Sequence, residues 1–245
     1  MAVNTPTPHE IVTLFDVDNT LLDNDRLIAD LREHLTQAFG VACSGRYWTI
    51  FERLRDELGY ADYLGALQLY RAEVEGRGAQ AQALLQMSGF LVDYPFADRL
   101  FPGALDAVAR MRRLGPCVIL SDGDVVFQPR KVQRSGLWQA VEGRVLIYVH
   151  KERRLDEVRR TFPARRYLLV DDKPRILGAV KAEWREDVVT VFPRQGHYAA
   201  DAAEVARHPR PDVVIDRIGE LARMNLAAWL PAAGAPNDTQ HAAAT

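Results

Sequence analysis

Short apolar runs recur along the chain, and several of them stop at a polar residue. They are rich in valine, isoleucine, leucine and phenylalanine and lack strict alternation, which is typical of parallel strands buried on both faces. The runs cover residues 11–15, 117–120, 145–149, 167–170, 188–192 and 213–215. The pattern therefore predicts six strands.

Helical patterns separate most of these runs. Residues 104–114 form one helix candidate, which stops at Gly115-Pro116, and residues 155–162 form another. Strands that alternate with helices favour right-handed βαβ units and a mostly parallel sheet. The expected core is a Rossmann-like α/β fold in which helices cover both faces of the sheet, a three-layer α/β/α arrangement.

A different pattern fills residues 23–97, where apolar residues recur at helical spacing and no convincing strand is visible. The expected buried faces are Leu27, Leu31 and Leu35; Phe51, Leu54 and Leu58; Leu64, Leu67 and Tyr70; and Leu84, Leu85 and Phe90. We expect an inserted helical domain at 23–97 and a core of residues 10–22 and 98–230. The polar or small-residue segments 1–9 and 231–245 are predicted to be flexible tails.

Composition narrows the choice of partners. The 245 residues carry a net charge of -2 and no basic stripe stands out, so no nucleic-acid partner is expected. The two cysteines, Cys43 and Cys117, are far apart and form no C-x-x-C motif, which favours a reducing compartment. No signal peptide or membrane-spanning stretch is visible. We expect a cytoplasmic protein with no membrane partner, either a monomer or a homodimer.

Candidate chemistry begins at the end of the first run, because ligands of open parallel sheets bind beyond the carboxyl ends of strands. Asp16-Val17-Asp18-Asn19-Thr20 follows that run directly. A carboxylate can attack phosphorus, and a second carboxylate can protonate the leaving oxygen and later activate water. An isolated D-x-D is more often a turn. The strand context and the following Leu21-Leu22 favour a chemical role for Asp16 and Asp18.

Two further strand ends carry groups suited to an anion. Ser121-Asp122-Gly123 offers a hydroxyl and successive backbone N–H groups, although this tripeptide is also a common turn. Lys151 closely follows the third run and could stabilise the charge on a transferring phosphoryl group. Lys131 is a rival on the helix after Asp122-Gly123. Lys151 is preferred because it lies closer to a strand end.

Asp171-Asp172 ends the fourth run. Adjacent carboxylates repel each other, and Asp16 is expected nearby, so a cation would relieve the repulsion. Mg²⁺ prefers such oxygen ligands and would also let an anionic nucleophile approach an anionic phosphate. The alternative is a helix N-terminus stabilised by acidic residues, and for this pair alone the two interpretations are nearly even.

The ordered set resembles the haloacid dehalogenase-like hydrolase superfamily over about residues 11–220. FDVDNTLLDND, which contains Asp16, Asp18 and Thr20, is the most specific element, and Ser121, Lys151 and Asp171-Asp172 match the other motifs. The resemblance implies that the helical insertion is a cap. Residues of the insertion would then select the substrate. Its aromatic residues Tyr47, Trp48, Tyr60, Tyr63 and Tyr70 could line a pocket, although such positions are more often core.

The resemblance also implies a role for each motif residue. Asp16 would be the nucleophile and a metal ligand, and Asp18 the general acid and base with its carbonyl on the metal. Thr20 would orient the loop, and Lys151 would contact Asp16. Phosphate would be bound by Thr20, Ser121, Asp122, Gly123 and Lys151. Asp171 and Asp172 would hold Mg²⁺, and which of them does so directly stays open.

The expected function is a Mg²⁺-dependent phosphatase for a small phosphorylated metabolite. A dehalogenase needs no proton donor at Asp18, because halide leaves unprotonated. A sugar phosphomutase would use the same residues, and a non-catalytic binding protein is a further alternative, since a fold alone does not give a function. His197, after the fifth run, is an additional residue that could approach the site.

Overall fold

A six-stranded parallel sheet forms the centre of the fold in the computed structural model, which describes residues 7–74 and 80–225. The strands are β1 (His9–Phe15), β2 (Cys117–Asp122), β3 (Val145–Tyr148), β4 (Ala164–Val170), β5 (Val188–Pro193) and β6 (Val213–Ile215). Each predicted run forms one strand, which confirms the α/β prediction. β1 begins at His9, inside the segment predicted as a flexible leader. Residues 1–6 of that leader and the predicted tail at 231–245 lie outside the described residues.

The strand order is β3-β2-β1-β4-β5-β6, and every neighbouring pair is parallel. β1 lies in the middle, where Thr13 is opposite Cys117 on one side and Leu168 on the other. The chain adds β2 and β3 on one side of β1 and then crosses back to place β4 on the other. A sheet whose order reverses in this way opens a ligand crevice at the carboxyl ends of the central strands.

Four helices occupy the described part of the insertion between β1 and β2. They are α1 (Asn24–Phe39), α2 (Val41–Leu58), α3 (Tyr63–Val74) and α4 (Gln80–Asp93). The first begins where Asp23 accepts a hydrogen bond from the backbone N–H of Arg26 at 2.9 Å, which caps the helix. Its face of Leu27, Leu31 and Leu35 is buried, as the periodicity predicted. The domain boundaries stay predictions, with the helical insertion at 23–97 and the core at 10–22 and 98–230.

The predicted face of α4 is wrong at one position. Leu85 is 73% exposed, whereas Leu84, Met87 and Leu91 are buried. Adjacent residues lie about 100° apart around a helix, so Leu84 and Leu85 cannot both face the same partner. The buried stripe follows the spacing 84, 87, 91, and Leu85 lies beside it on the solvent side.

Helices cover both faces of the sheet. α5 (Ala104–Met111) precedes β2. The helices after β2 are α6 (Phe127–Arg134), α7 (Leu137–Ala140), α8 (Leu155–Thr161), α9 (Pro174–Trp184), α10 (Gly196–Ala200) and α11 (Ala202–Ala206). Ile11 and Phe15 of β1 share one apolar cluster with Val108 of α5. Val12 and Leu14 point the other way, into a cluster with α8 and α9. Among the described residues no helix is both long and apolar enough to cross a membrane.

Candidate active site

Asp16 is the first carboxylate beyond β1. Its backbone N–H donates to the carbonyl of Val170 at 3.0 Å, and only 1% of the residue is exposed. Thr20 Oγ1 lies 3.4 Å from Asp16 Oδ2, and Ser121 Oγ lies 3.4 Å from Asp16 Oδ1. Burial opposes ionisation of Asp16, but the positive charge of Lys151 more than offsets this and holds the pKa of Asp16 below its usual value. A buried carboxylate that stays ionised suits a nucleophile.

A tight turn connects β1 to the insertion. The backbone N–H of Leu22 donates to the carbonyl of Val17 at 2.9 Å, and Asn19 lies in the left-handed region at φ 58°. Asparagine tolerates this conformation better than most residues. Its Oδ1 accepts hydrogen bonds from the backbone N–H groups of Asn24 and Asp25 at 3.0 and 3.1 Å. The turn is therefore tied directly to the first turn of α1.

Lys151 lies at the centre of the site, 1% exposed. Its Nζ is 2.5 Å from Asp16 Oδ1, donates to the Leu120 carbonyl at 3.2 Å, and forms an ion pair with Asp171 Oδ2 at 2.6 Å. Burial alone would lower the pKa of this lysine, but Asp16, Asp171 and Asp122 reverse the effect and raise it above its usual value. Lys151 thus remains charged and joins the ends of β1 and β4.

Asp171 and Asp172 are fully buried at the end of β4. Asp171 Oδ1 accepts the backbone N–H of Lys173 at 2.9 Å, and the backbone N–H of Asp172 donates to Thr20 Oγ1 at 2.9 Å. Thr20 therefore connects the loop after β1 to the end of β4. Burial raises the pKa of Asp171 to about 6, and burial together with the charges of Asp16 and Asp171 raises the pKa of Asp172 well above its usual value.

These carboxylates fit a divalent cation. Asp16, Asp171 and Asp172 each offer one oxygen, and the three oxygens lie within 4.8 Å of one another. Both carboxylate oxygens of Asp172 are buried without a hydrogen-bond partner among the described residues. A buried ionised group without a partner is strongly disfavoured, and Mg²⁺ takes such oxygen ligands in proteins.

Asp18 has different surroundings. Its Oδ1 lies 2.6 Å from the ammonium of Lys131, its Oδ2 lies 3.4 Å from Gln128 Nε2, and its side chain is 22% exposed. Lys131 is fully buried and also donates to Asn24 Oδ1 at 3.0 Å. The Asp18 carboxylate therefore lies apart from the three-carboxylate group. That its carbonyl binds metal stays a prediction.

The residues after β2 have several partners. Ser121 Oγ accepts a hydrogen bond from Gln128 Nε2 at 2.9 Å, and Asp122 Oδ1 accepts the backbone N–H of Lys151 at 2.8 Å. Burial raises the pKa of Asp122, and Lys151 opposes the shift. The expectation for Gly123 needs correction, because its N–H donates to the Tyr148 carbonyl at 2.9 Å and is not free for phosphate.

Sequence reasoning treated Lys131 and Lys151 as rivals, but each lies beside a different carboxylate. It missed Gln128 and Lys173. The signal for Gln128 was its spacing of three residues from Lys131, which places both on one face of α6. Lys173 directly follows the two buried aspartates. Burial would lower its pKa, but the charges around it, Asp16 first, raise it above its usual value.

A cavity of about 320 Å³ separates the strand ends from the insertion. Asp18, Asp122, Asp172 and Lys173 line its core side. Aromatic and charged side chains line the insertion side, among them Trp48, Phe51, Tyr60, Tyr63, Arg32 and Arg55. Of the five aromatic candidates, Tyr47 and Tyr70 are instead buried in the apolar core.

Two contacts join the insertion to the core beside this cavity. Asp25 Oδ1 lies 2.7 Å from Nδ1 of His197, which lines the cavity and so approaches the site as the sequence suggested. At Gly59, φ is +79°, and a Cβ added there would lie 2.5 Å from Cε1 of His150. The end of α2 therefore packs closely on the loop that carries Lys151.

Known proteins resemble this chain in sequence and fold. A family model described as haloacid dehalogenase-like hydrolase matches residues 12–172. A haloacid dehalogenase-like hydrolase from Burkholderia xenovorans is 61% identical in sequence, with a TM-score of 0.83, over 89% of this chain and 100% of the other. No curated protein matches the chain.

More distant structures share the fold. The hydrolase YfnB from Bacillus subtilis, solved bound to magnesium, gives a TM-score of 0.56 at 17% identity, over 89% of this chain and 98% of its own. L-2-haloacid dehalogenase from Xanthobacter autotrophicus gives a TM-score of 0.54 at 19% identity, over 86% of this chain and 96% of its own. At these identities the likeness extends to the fold alone.

Proposed function

The chain belongs to the haloacid dehalogenase-like hydrolase family, and on that premise we propose that it is a Mg²⁺-dependent phosphatase of small phosphorylated metabolites. An aspartyl-phosphate on Asp16 would be the intermediate. The observation that carries the proposal is the contrast between two carboxylates beyond β1. Asp16 is buried beside Lys151, whereas Asp18 lines the cavity beside Lys131.

The first step needs a nucleophile and a proton donor. An Asp16 carboxylate oxygen attacks phosphorus while the bond from phosphorus to the ester oxygen breaks. Asp18, in its protonated form, gives its proton to the departing alkoxide. A halide would need no such proton, so a carboxyl group that lines the cavity favours a phosphate ester over a haloacid.

The second step restores the enzyme. Water attacks phosphorus of the aspartyl-phosphate, gives a proton to Asp18, and the bond from phosphorus to the Asp16 oxygen breaks. Inorganic phosphate leaves, Asp16 is again a carboxylate and Asp18 is again protonated. Lys151 keeps Asp16 oriented throughout, because it contacts Asp171 and the Leu120 carbonyl as well.

Asp16, Asp171 and Asp172 are the side chains that would hold Mg²⁺. Bound there, the ion would neutralise the crowded carboxylates and the phosphoryl oxygens. The unpartnered oxygens of Asp172 support this assignment. Magnesium in the distant structural neighbour YfnB is consistent with it.

The insertion would act as the cap over this site. Its aromatic and charged side chains form one wall of the cavity, opposite Asp18 and Asp172. A cap that closes on bound substrate excludes water and selects by shape. The pocket chemistry thus favours a small soluble substrate. A cytoplasmic location and the absence of nucleic-acid and membrane partners stay predictions.

A metabolite screen tests the proposal. We expect phosphate release from at least one phosphomonoester with Mg²⁺, loss of release with EDTA, and loss in Asp16→Asn. Equal release from wild type and Asp16→Asn would contradict the proposal. An isomerised sugar phosphate in place of free phosphate would identify a mutase instead.

A further inference from the structure

One cation on the insertion wall of the cavity has no acidic partner among the residues that the structure describes. Arg32 of α1 lines the cavity and forms none of the ion pairs of α1 and α2. None of the residues three or four positions from it along the helix is acidic. Those ion pairs are Arg26–Asp30, Arg99–Asp30, His197–Asp25, Arg46–Glu73, Arg53–Glu57 and Arg55–Glu52.

The ring of Trp48 holds the Arg32 guanidinium in place. Cζ of Arg32 lies 4.4 Å from the centroid of the ring, which is a cation–π contact. Trp48 is itself buried and contacts the ring of Phe51 edge-on, with 5.2 Å between the ring centroids. A guanidinium that stacks on a ring keeps its N–H groups at its edge, in the fork that matches a carboxylate. Arg32 therefore presents an oriented set of donors to the cavity.

The position of Arg32 on α1 relates it to the catalytic end of the cavity. Asn24, Ile28 and Arg32 all line the cavity, and their spacing of four residues places them along one face of the helix. Asn24 accepts a hydrogen bond from Lys131 at 3.0 Å, and Lys131 lies 2.6 Å from Asp18. Eight helical residues rise about 12 Å, and a long side chain leans back toward the helix N-terminus. One short molecule can thus reach from the strand ends to Arg32.

The remaining insertion wall favours a small acid over a substrate with a stacking ring. Its aromatic side chains already contact one another, since Phe51 stacks on Tyr63 at 4.8 Å and Tyr63 lies 5.2 Å from the ring of Phe127. Arg32 covers one face of Trp48. A volume of about 320 Å³ is also near the lower end of the range for ligand cavities. The distinguishing group on this wall is therefore the guanidinium.

We propose that Arg32 is a specificity-determining residue, which binds a carboxylate of the substrate while the phosphoryl group lies at Asp16. The inference rests on the proposed function and names its substrate class, a small phosphorylated carboxylic acid. One guanidinium without an acidic partner matches the single charge of a carboxylate, and two parallel N–H···O bonds fix its orientation. Binding of this group selects such substrates over neutral phosphate esters of the same size.

Two esters of matched size test this selection. 3-Phosphoglycerate carries a carboxylate where glycerol 3-phosphate carries a hydroxymethyl group. We expect the wild type to hydrolyse 3-phosphoglycerate with a kcat/KM at least about 10-fold higher. Arg32→Met should lower this kcat/KM by about 10- to 30-fold, because charge-assisted hydrogen bonds are lost, and should change that for glycerol 3-phosphate by about twofold or less. Arg32→Lys, which keeps the charge without the fork, should fall between wild type and Arg32→Met.

Arg26→Met is the matched control from the same helix. Arg26 pairs with Asp30 at 2.9 Å and does not line the cavity. The variant removes an equal charge from α1, and because an exposed charge is screened by salt, kcat/KM for both esters should stay within about twofold of wild type. Arg32 is exposed and methionine is a good helix former, so both variants should fold. Circular dichroism melts in Mg²⁺ check this.

The outcomes separate the inference from the proposed function. The inference is wrong if folded Arg32→Met keeps the wild-type ratio of kcat/KM for the two esters. It is also wrong if the wild type hydrolyses phosphomonoesters without preferring those that carry a carboxylate. A preference for propanediol bisphosphate that Arg32→Met removes would overturn the carboxylate assignment in favour of a second phosphate. In these cases the phosphatase proposal stands, whereas no hydrolysis of any phosphomonoester by the wild type would remove the proposed function itself.

Discussion

Two aspartate–lysine pairs lie beyond β1 and have similar geometry but different surroundings. Lys151 is 2.5 Å from Asp16 and Lys131 is 2.6 Å from Asp18. The first pair is enclosed among further carboxylates and has almost no contact with solvent. The second has a buried lysine but an aspartate that reaches the cavity. Similar ion pairs can thus hold one carboxylate rigidly for attack and leave the other accessible for proton transfer.

The largest difference between the pairs is expected in stability. Lys151→Met leaves Asp16 and Asp171 buried without their cation, which should lower the free energy of unfolding by about 3 to 5 kcal/mol. Lys131→Met should lower it by only about 1 to 2 kcal/mol, because water can reach Asp18. Urea unfolding with EDTA measures both.

Lys181→Met is a control for these variants. Lys181 forms an ion pair with Asp212 at 3.0 Å, and neither residue lines the cavity. Lys181→Met should lower the free energy of unfolding by about 1 kcal/mol or less, as expected for a partly exposed ion pair. A Lys131 variant less stable than the Lys151 variant would contradict the proposed difference between the pairs.

A smaller effect concerns the leaving group. Lys131→Met should misplace Asp18, so hydrolysis of β-glycerophosphate, a poor leaving-group ester, should fall about 10- to 100-fold. Hydrolysis of p-nitrophenyl phosphate should fall about threefold or less, because nitrophenolate leaves without a proton. An equal fall for both esters in kcat/KM measurements would assign Lys131 a purely structural role.

A further prediction concerns the pH dependence of the metal-free protein's stability. Because the pKa of Asp171 is raised from 3.8 to about 6, its folded carboxyl binds a proton more readily than the unfolded one. The stability it contributes is complete below pH 3.8 and is lost as pH rises through about 6. We expect the free energy of unfolding with EDTA to fall by up to about 3 kcal/mol across this window.

Asp171→Asn should remove this part of the pH dependence, and saturating Mg²⁺ should suppress it in the wild type. The check is a urea titration at a series of pH values for both proteins. Identical pH profiles of wild type and Asp171→Asn without metal would show that Asp171 does not titrate in this window.

Much of the fold could be predicted because it follows from local patterns. The apolar runs identified all six strands, and the parallel arrangement brought Asp16, Ser121, Lys151 and Asp171 to one edge of the sheet. Strand ends are defined by sequence, and the topology of a parallel sheet places them together. The confirmed features are therefore the ones that need no knowledge of side-chain packing.

The contacts that depend on packing could not be predicted. Whether Lys131 or Lys151 approaches Asp16 depends on how α6 rotates against the sheet, and a helix pattern does not specify that rotation. The same limit explains Leu85, which is apolar but faces solvent. Lys173 went unnoticed because its place in the cavity wall beside Asp122 and Asp172 is defined only by the folded arrangement.

Direct detection of the covalent intermediate tests the central claim. Asp18→Asn should form the intermediate from p-nitrophenyl phosphate, which needs no proton donor, and should then hydrolyse it slowly for lack of a base. Acid quenching followed by peptide mass spectrometry is predicted to find phosphate on Asp16. Turnover by the wild type together with no label on Asp16, or with a label on another residue, would contradict the account.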